Sequence, residues 1–496
     1  MKRAFWLATA SLFAASAGQA QQVNQSESAW YTDAQAEIER KLARQPITGR
    51  AKNVILFVAD GNSVGTNYAI RLFDGQKKGG LGDDNILSYE NFPYLALVKT
   101  YNVNAQTPDS APTASAMNTG VKSNFTTINV SENAVAGDCA TLAGNELTTF
   151  AEVVSAKDKS VGIVTTTRMT HATPAAVYSK TVHRDWEDNT GLPEGCEQLD
   201  IAAQFADAMK SGMIDLALGG GRRHFLPESV TDDEGKTGKR TDDRNIVQEL
   251  LDGGAQYAWN DETFGQLDPA GGPILGLFES SHMLYEHDRT GEPSLAEMTE
   301  FAINTLSANE NGYYLEVEAG RVDHANHDGN LHRVLTDGIA FADAIAKADE
   351  LTDDEDTLIL VTADHAHTLT FNGYCGRGSP VTGLCYKVDD HNKKHLDEPN
   401  LASDGKPYTV AGYLNGAGSI LVAQADGNYF GTRPTVTQEQ ATDPDYLQQA
   451  LIPMSSETHS GTDVALYGKG PWAHLVDGTV EQNYIFHIML HAVNAE

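Results

Sequence analysis

The sequence predicts an α/β fold: a doubly wound, mostly parallel central sheet flanked by helices, with one inserted subdomain. Short runs rich in Val, Ile and Leu recur at 53–60, 94–101, 160–166, 214–219, 313–318 and 356–363, each ending in small or polar residues, as buried strands do. Helical patterns lie between them, for example at 148–156, 199–210, 295–308 and 334–351, and such alternation builds a parallel sheet with helices on both faces. The polar residues that follow strands, Asp60, Glu318 and Asp364 with His365, fall where sheets of this kind bind ligands, at the carboxyl ends.

From the amino end, Lys2 and Arg3 precede the apolar run 4–17 and the small-x-small site Gly18-Gln19-Ala20, so residues 1–20 read as a signal peptide. The expected location is the periplasm or outside the cell. No later apolar run approaches ~18 residues, so no membrane span is expected in the mature chain. Residues 21–50 form an N-terminal arm with a polar, amphipathic helix pattern over 27–44. For the rest of the 496 residues, no Pro-rich or Gly/Ser-rich linker divides the chain, and one large core with insertions is expected over 51–496. From 372 to 455 the chain becomes rich in Gly, Asp and Asn, with short strands only at 408–413 and 419–423, which marks the inserted subdomain. A last strand at 463–467 closes the core.

An oxidising compartment permits disulfides, and the cysteine count is even: Cys139, Cys196, Cys375 and Cys385. Three pairings are open; the local choice is Cys375 with Cys385 across a Gly-rich loop, leaving Cys139 with Cys196. The formal net charge of −33 becomes −35 without Lys2 and Arg3, and such a surface repels nucleic acid and anionic membranes. An enzyme acting on phosphate here needs bound cations to reverse the sign locally.

The segment 313–327 places Glu318, Asp323 and His327 around one strand-to-helix turn. Asp323 and His327, four apart, lie on one helix face and can grip a single ion. The bland alternative is a structural ion pair of Glu318 with Arg321 or His324. Upstream, Thr107 to Gly120 reads as a short helix with Pro112 in its first turn, Gly120 past its end and Ser110 at its amino end, where exposed amides favour an anion. A metal beside Ser110 lowers its hydroxyl pKa and turns a cap into a nucleophile. Asp60, the Glu318/Asp323/His327 cluster, Asp364-His365 and Thr458-His459 supply the ligands. Mixed Asp and His sets suit zinc, and a carboxylate-rich position with hydroxyl and water ligands suits magnesium.

These motifs together resemble an alkaline phosphatase, from 51–57 through Asp109-Ser110-Ala111 and Val361-Thr362-Ala363-Asp364-His365 to Glu481-Gln482-Asn483-Tyr484, and the animal type more closely than the enteric bacterial type. The resemblance implies hydrolysis of phosphate monoesters at alkaline pH through a phosphoserine on Ser110, with two zinc ions and one magnesium ion. It implies that Asp323, His327 and His459 hold the first zinc and that Asp60, Asp364 and His365 hold the second beside Ser110. Asp60 would bridge to magnesium, completed by Thr173 and Glu318. His171 and His324 resemble residues next to the metals and phosphate, and Arg184 resembles the guanidinium that clamps two phosphate oxygens. The resemblance also pairs Cys139 with Cys196 and makes 372–455 a crown-like subdomain at a homodimer interface. It departs from the enteric type at His171, and because two residues are missing just beyond Phe278-Glu279, the calcium site that animal members have there is not carried over.

Three other readings compete. Gly61-Asn62-Ser63-Val64-Gly65 matches the serine-hydrolase elbow, but leaves the carboxylates unexplained. Sulfatase chemistry lacks its arginine in Ser110-Ala111-Pro112-Thr113-Ala114. A phosphodiesterase of the same superfamily could use the same metals, whereas Ser110 with Arg184 favours monoesters. His391 and His395 read as solvated loop residues, His367 as structural or a neighbour of the metals, and Gly219-Gly220-Gly221-Arg222 as a tight turn rather than a phosphate cradle.

Overall fold

The computed structural model describes residues 23–495; the signal peptide read at 1–20 lies outside them. Helix α1 (Ala29–Ala43) belongs to a unit of its own that ends at Pro46, and it buries none of its side chains within that unit. Its bounds match the amphipathic pattern at 27–44.

From Ile47 onward the chain is one compact unit around a ten-stranded sheet. Its strands are β1 (Asn53–Ala59), β2 (Tyr94–Lys99), β3 (Ser160–Arg168), β4 (Leu216–Gly220), β5 (Gln256–Ala258), β6 (Ile274–Leu277), β7 (Tyr313–Ala319), β8 (Thr357–Thr362), β9 (Val464–Lys469) and β10 (Asp477–Glu481). They lie in the order β10-β2-β9-β8-β1-β7-β3-β4-β6-β5, and only β9 runs antiparallel to its neighbours. The central strand β1, Asn-Val-Ile-Leu-Phe-Val-Ala, is buried throughout, as a strand covered on both faces requires. Val54, Leu56 and Val58 join one core and Ile55, Phe57 and Ala59 the other, so the sheet separates two hydrophobic layers.

Helices that cover the sheet include α2 (Val64–Lys77), α3 (Ser110–Thr119), α4 (Phe150–Ser155), α5 (Ala172–Tyr178), α6 (Ile201–Lys210), α7 (Leu295–Leu306), α8 (Arg321–His327) and α9 (Leu331–Leu351). The strand expected at 463–467 is formed as β9 but is not the last: it lies inside the sheet between β2 and β8, and β10 follows it as the edge. That edge strand, Asp-Gly-Thr-Val-Glu, is half-exposed and polar, so it gives no buried-strand signal. Residues 372–455 carry short pairings such as Tyr386–Val388 with Lys394–Pro399 and Val422–Ala423 with Tyr429–Phe430. Both disulfides, Cys139–Cys196 and Cys375–Cys385, are formed. No helix among the described residues is long and apolar enough to cross a membrane.

Candidate active site

Register brings the functional strand ends level. Val58 on β1 pairs with Glu318 on β7 and with Thr362 on β8, so Asp60, Glu318 and Asp364 emerge side by side. The α3 helix points its amino end at them. Its N-cap is Asp109, extended at φ −117° and ψ 147°, and Gly120 ends it at φ 75°, where an added Cβ would lie 2.6 Å from Phe486. Ser110 Oγ is thereby held 3.1 Å from His365 Nε2 and 3.5 Å from Asp60 Oδ1, and Asp364 Oδ2 stands 3.4 Å from His365 Nε2.

Next to this group Asp323 Oδ1 lies 3.4 Å from both His327 Nε2 and His459 Nε2. The two imidazoles are aimed by the backbone. His327 Nδ1 meets Glu457 O at 2.6 Å and His459 Nδ1 meets Pro108 O at 2.8 Å, which leaves each Nε2 as the free lone pair facing inward. Asp323, His327, His367 and His459 each offer a ligand atom within 4.8 Å of the others, and so do Asp60, Asp323 and His365. A third group is Asp60, His171 and Glu318. There the oxygens Asp60 Oδ2, Thr173 Oγ1 and Glu318 Oε1 are all buried without a hydrogen-bond partner. Buried oxygens of that kind fit a hard cation, since leaving them bare is costly.

The electrostatics agree. Burial pushes Asp60 well up, with the charges of Asp364, Asp323 and Glu318 adding to the effect. Burial likewise lifts Glu318 to about 7 against the hydrogen bonds from Thr165 and Thr167. Carboxylates crowded in this way call for positive charge. The ion pair of Glu318 with Arg321 or His324 is not formed; Thr165 and Thr167 hold its Oε2 instead. Burial lowers His365 well below the usual histidine range, with the charge of His459 acting in the same direction, which keeps the ring neutral and able to ligate.

Arg184 joins the same group through Asp109 and His171. Its NH1 donates to Asp109 Oδ1 and its NH2 lies 3.0 Å from His171 Nε2. Burial alone would lower its pKa, but the Asp109 carboxylate overrides this and fixes the charge. Thr126 ties the pair together: its amide donates to Asp109 Oδ2 at 3.0 Å and its carbonyl accepts from Arg184 N at 2.8 Å. This β-branched residue sits at φ 70°, a strained conformation of the sort that clusters at functional sites. His324 packs 4.1 Å from the His282 ring and 5.5 Å from His171.

The structure therefore brings together every site residue expected from the sequence: Asp60, Ser110, His171, Thr173, Arg184, Glu318, Asp323, His324, His327, Asp364, His365 and His459. Sequence reasoning missed Asp109, Thr126 and Glu457, and left His367 undecided. His367 donates to Asp323 Oδ1 at 2.7 Å and to Glu457 Oε2. The available signals were adjacency, of Asp109 to Ser110 and of Glu457 to Thr458-His459. Ser63 caps α2, accepting from Thr66 N at 3.0 Å, so the elbow-like motif is a helix start. The glycines before Arg222 pack tightly, with a Cβ on Gly220 placed 2.2 Å from Ser281 O, as a turn requires. His395 is paired with Asp389 at 2.9 Å rather than solvated.

The family profile described as alkaline phosphatase matches residues 51–495. The chain belongs to the alkaline phosphatase family. It is 41% identical over 481 residues to an alkaline phosphatase of Gadus morhua, covering 93% of this chain and 96% of that protein. It is 40% identical over 482 residues to the tissue-nonspecific isozyme of Felis catus, covering 93% and 88%. Animal-type similarity is thus observed. Among solved structures, alkaline phosphatase from Thermus thermophilus superposes with a TM-score of 0.64 at 22% identity over 92% of this chain and 94% of that one. The enzyme from the Antarctic bacterium TAB5 gives 0.61 at 20% identity over 90% and 99%, and both share the fold. As an alkaline phosphatase the chain is a metal-binding phosphomonoester hydrolase, and its three ligand groups are where cations fit.

Proposed function

We propose that this enzyme transfers the phosphoryl group of a phosphate monoester to Ser110 and then to water, using two zinc ions and one magnesium ion. One observation carries the reading: Ser110 Oγ, at a helix amino end, lies against Asp60 and His365, with Asp364 beside His365 and the Arg184 guanidinium bonded to the adjoining Asp109. Asp323, His327 and His459 would hold one zinc, Asp60, Asp364 and His365 the other, and Asp60, Thr173 and Glu318 the magnesium. Bound there, the cations supply Lewis-acid charge and an acidified hydroxyl and water.

The side chains do the rest. Arg184, held by Asp109, clamps two phosphoryl oxygens so that phosphorus faces Ser110 Oγ. As the Ser110 Oγ–P bond forms, the bond from phosphorus to the leaving oxygen breaks, and the amides at the start of α3 stabilise the charge that develops. Water then cleaves the phosphoserine and frees phosphate. His171, 3.0 Å from the guanidinium, orients the clamp, and His324 packs against His171. The leader at 1–20 supports export, and the resemblance supports a homodimer joined through 372–455.

Hydrolysis of p-nitrophenyl phosphate, its bis ester and p-nitrophenyl sulfate tests the reading. Monoesterase activity lost on chelation and in Ser110→Ala is expected. Preferential diester or sulfate cleavage would overturn it.

A further inference from the structure

Helix α3 presents a packing problem. All ten of its residues are buried, yet apart from Met117 they are small or polar, so bulky apolar contacts do little to fix its rotation or its position along its axis. Directional contacts take that role. At the amino end, Thr113 Oγ1 donates to Asp364 Oδ2 at 3.3 Å. At the other end, Asn118 Nδ2 donates to Glu316 Oε2 at 2.9 Å and to Ala114 O at 3.3 Å. The Tyr314 hydroxyl contacts Glu316 Oε2 at 2.9 Å and Asn118 Oδ1 at 3.2 Å, which closes a three-residue polar network inside the core.

Glu316 is 1% exposed and its Oε1 has no partner. A carboxyl at such a place costs stability, and an apolar pair of similar volume would pack there without that cost. What it adds is direction. Glu316 stands two residues before Glu318 on β7, so both side chains project from the same face of the strand. One end of the network is thus fixed to the strand that carries a proposed magnesium ligand. The other end is fixed to the helix that carries Ser110, about two turns away.

We propose that Glu316, acting through Asn118, is a positioning residue that locks α3 against β7 and sets Ser110 at its distance from the metal ligands. The inference rests on Ser110 being the nucleophile. Without the contact, α3 is free to turn slightly about its amino end, where Asp109 stays bonded to Thr126 and Arg184 and Pro108 stays bonded to His459, so Ser110 shifts while phosphate and metal keep their place.

The test compares the metal-loaded wild-type enzyme with Glu316→Gln, Glu316→Leu and the double variant Glu316→Leu/Asn118→Leu. Each is assayed for kcat on p-nitrophenyl phosphate, the inhibition constant of inorganic phosphate, bound metal and melting temperature. Glu316→Leu should lower kcat by ~10- to 100-fold, the scale of a sub-ångström to ångström misplacement, with phosphate inhibition and metal content unchanged. Glu316→Gln, which retains an acceptor oxygen for Asn118, should recover to within ~3-fold of wild type. If Glu316→Leu alone does not fold, adding Tyr314→Phe to the double variant, so that no member of the network is left bare, should give a folded protein with the same loss in kcat. A kcat within ~2-fold of wild type in the folded leucine variants, or a parallel loss of phosphate and metal binding, overturns the proposal. A wild-type enzyme that cleaves monoesters without phosphorylating Ser110 refutes the parent reading instead, whatever the variants do.

Discussion

Replacing His367 with Phe should loosen the metal that Asp323 is proposed to hold, with the fold intact. His367 stands between two carboxylates, with Nε2 2.7 Å from Asp323 Oδ1 and Nδ1 donating to Glu457. Burial would lower its pKa, but the hydrogen bonds to Asp323 and Glu457 outweigh this and raise it to about 10, so both nitrogens carry protons. The ring also covers Gly61, which sits at φ 73° with room for no side chain: a Cβ there would lie 2.5 Å from the imidazole. Phenylalanine fills the same space and removes the donor. Asp323 loses the bond that orients it, while Glu457 keeps Thr368 N at 2.7 Å and Thr368 Oγ1 at 2.6 Å. Loss of a hydrogen bond to a metal ligand costs ~10- to 100-fold in affinity, about 1.4–2.7 kcal/mol. Chelator titration of activity at pH 8 reads it directly. The variant should lose activity at ~10- to 100-fold lower chelator concentration and regain it with added zinc. A chelator midpoint equal to wild type would refute the reasoning.

Further substitutions separate the parts of the site. Arg184→Ala should reduce kcat/KM for p-nitrophenyl phosphate by ~100- to 1,000-fold, the scale of a lost oxyanion donor, and raise the inhibition constant of phosphate. Asp109→Ala, which frees Arg184 without removing it, should cost less in both readouts. Gly320→Ala places a Cβ 2.1 Å from Thr167 Cγ2 and 2.8 Å from Glu318 Oε1, so magnesium retained after desalting should fall while zinc stays. Burial pushes Asp337 from 3.8 up to about 8, against the pull of Arg321. Its ionisation opposes folding, so stability from this group is fully present below pH 4 and is lost as pH rises towards 8. Asp337→Asn should remove the part of that loss that falls between pH 5 and pH 8.5, bounded at roughly 4 kcal/mol, as read by urea unfolding at the two pH values.

Much of this architecture was legible in the chain because burial writes itself into sequence. The strands β1, β7 and β8 are covered on both faces, so they read as apolar runs, and the polar residues that end them stand out. Asp323 and His327 were legible because one helix turn joins them. The partners of the ligands were not. Arg184 and Asp109 meet across 75 positions, and His367 and Glu457 across 90, distances over which no local pattern operates. The edge strand β10 left no trace, since half-exposed polar residues look like loop. Glu316 was hidden for the opposite reason: it interrupts an apolar strand one alternation before Glu318, and only the packing of α3 shows what it touches.

The central claim is that phosphate passes through Ser110. Acid-quenching the enzyme during turnover of a phosphate monoester, followed by peptide mass spectrometry, tests it most directly. The account predicts a phosphorylated peptide containing Ser110, absent from Ser110→Ala and from chelated enzyme. Turnover at the full rate with no phosphate on Ser110, or with phosphate on another residue, would contradict it.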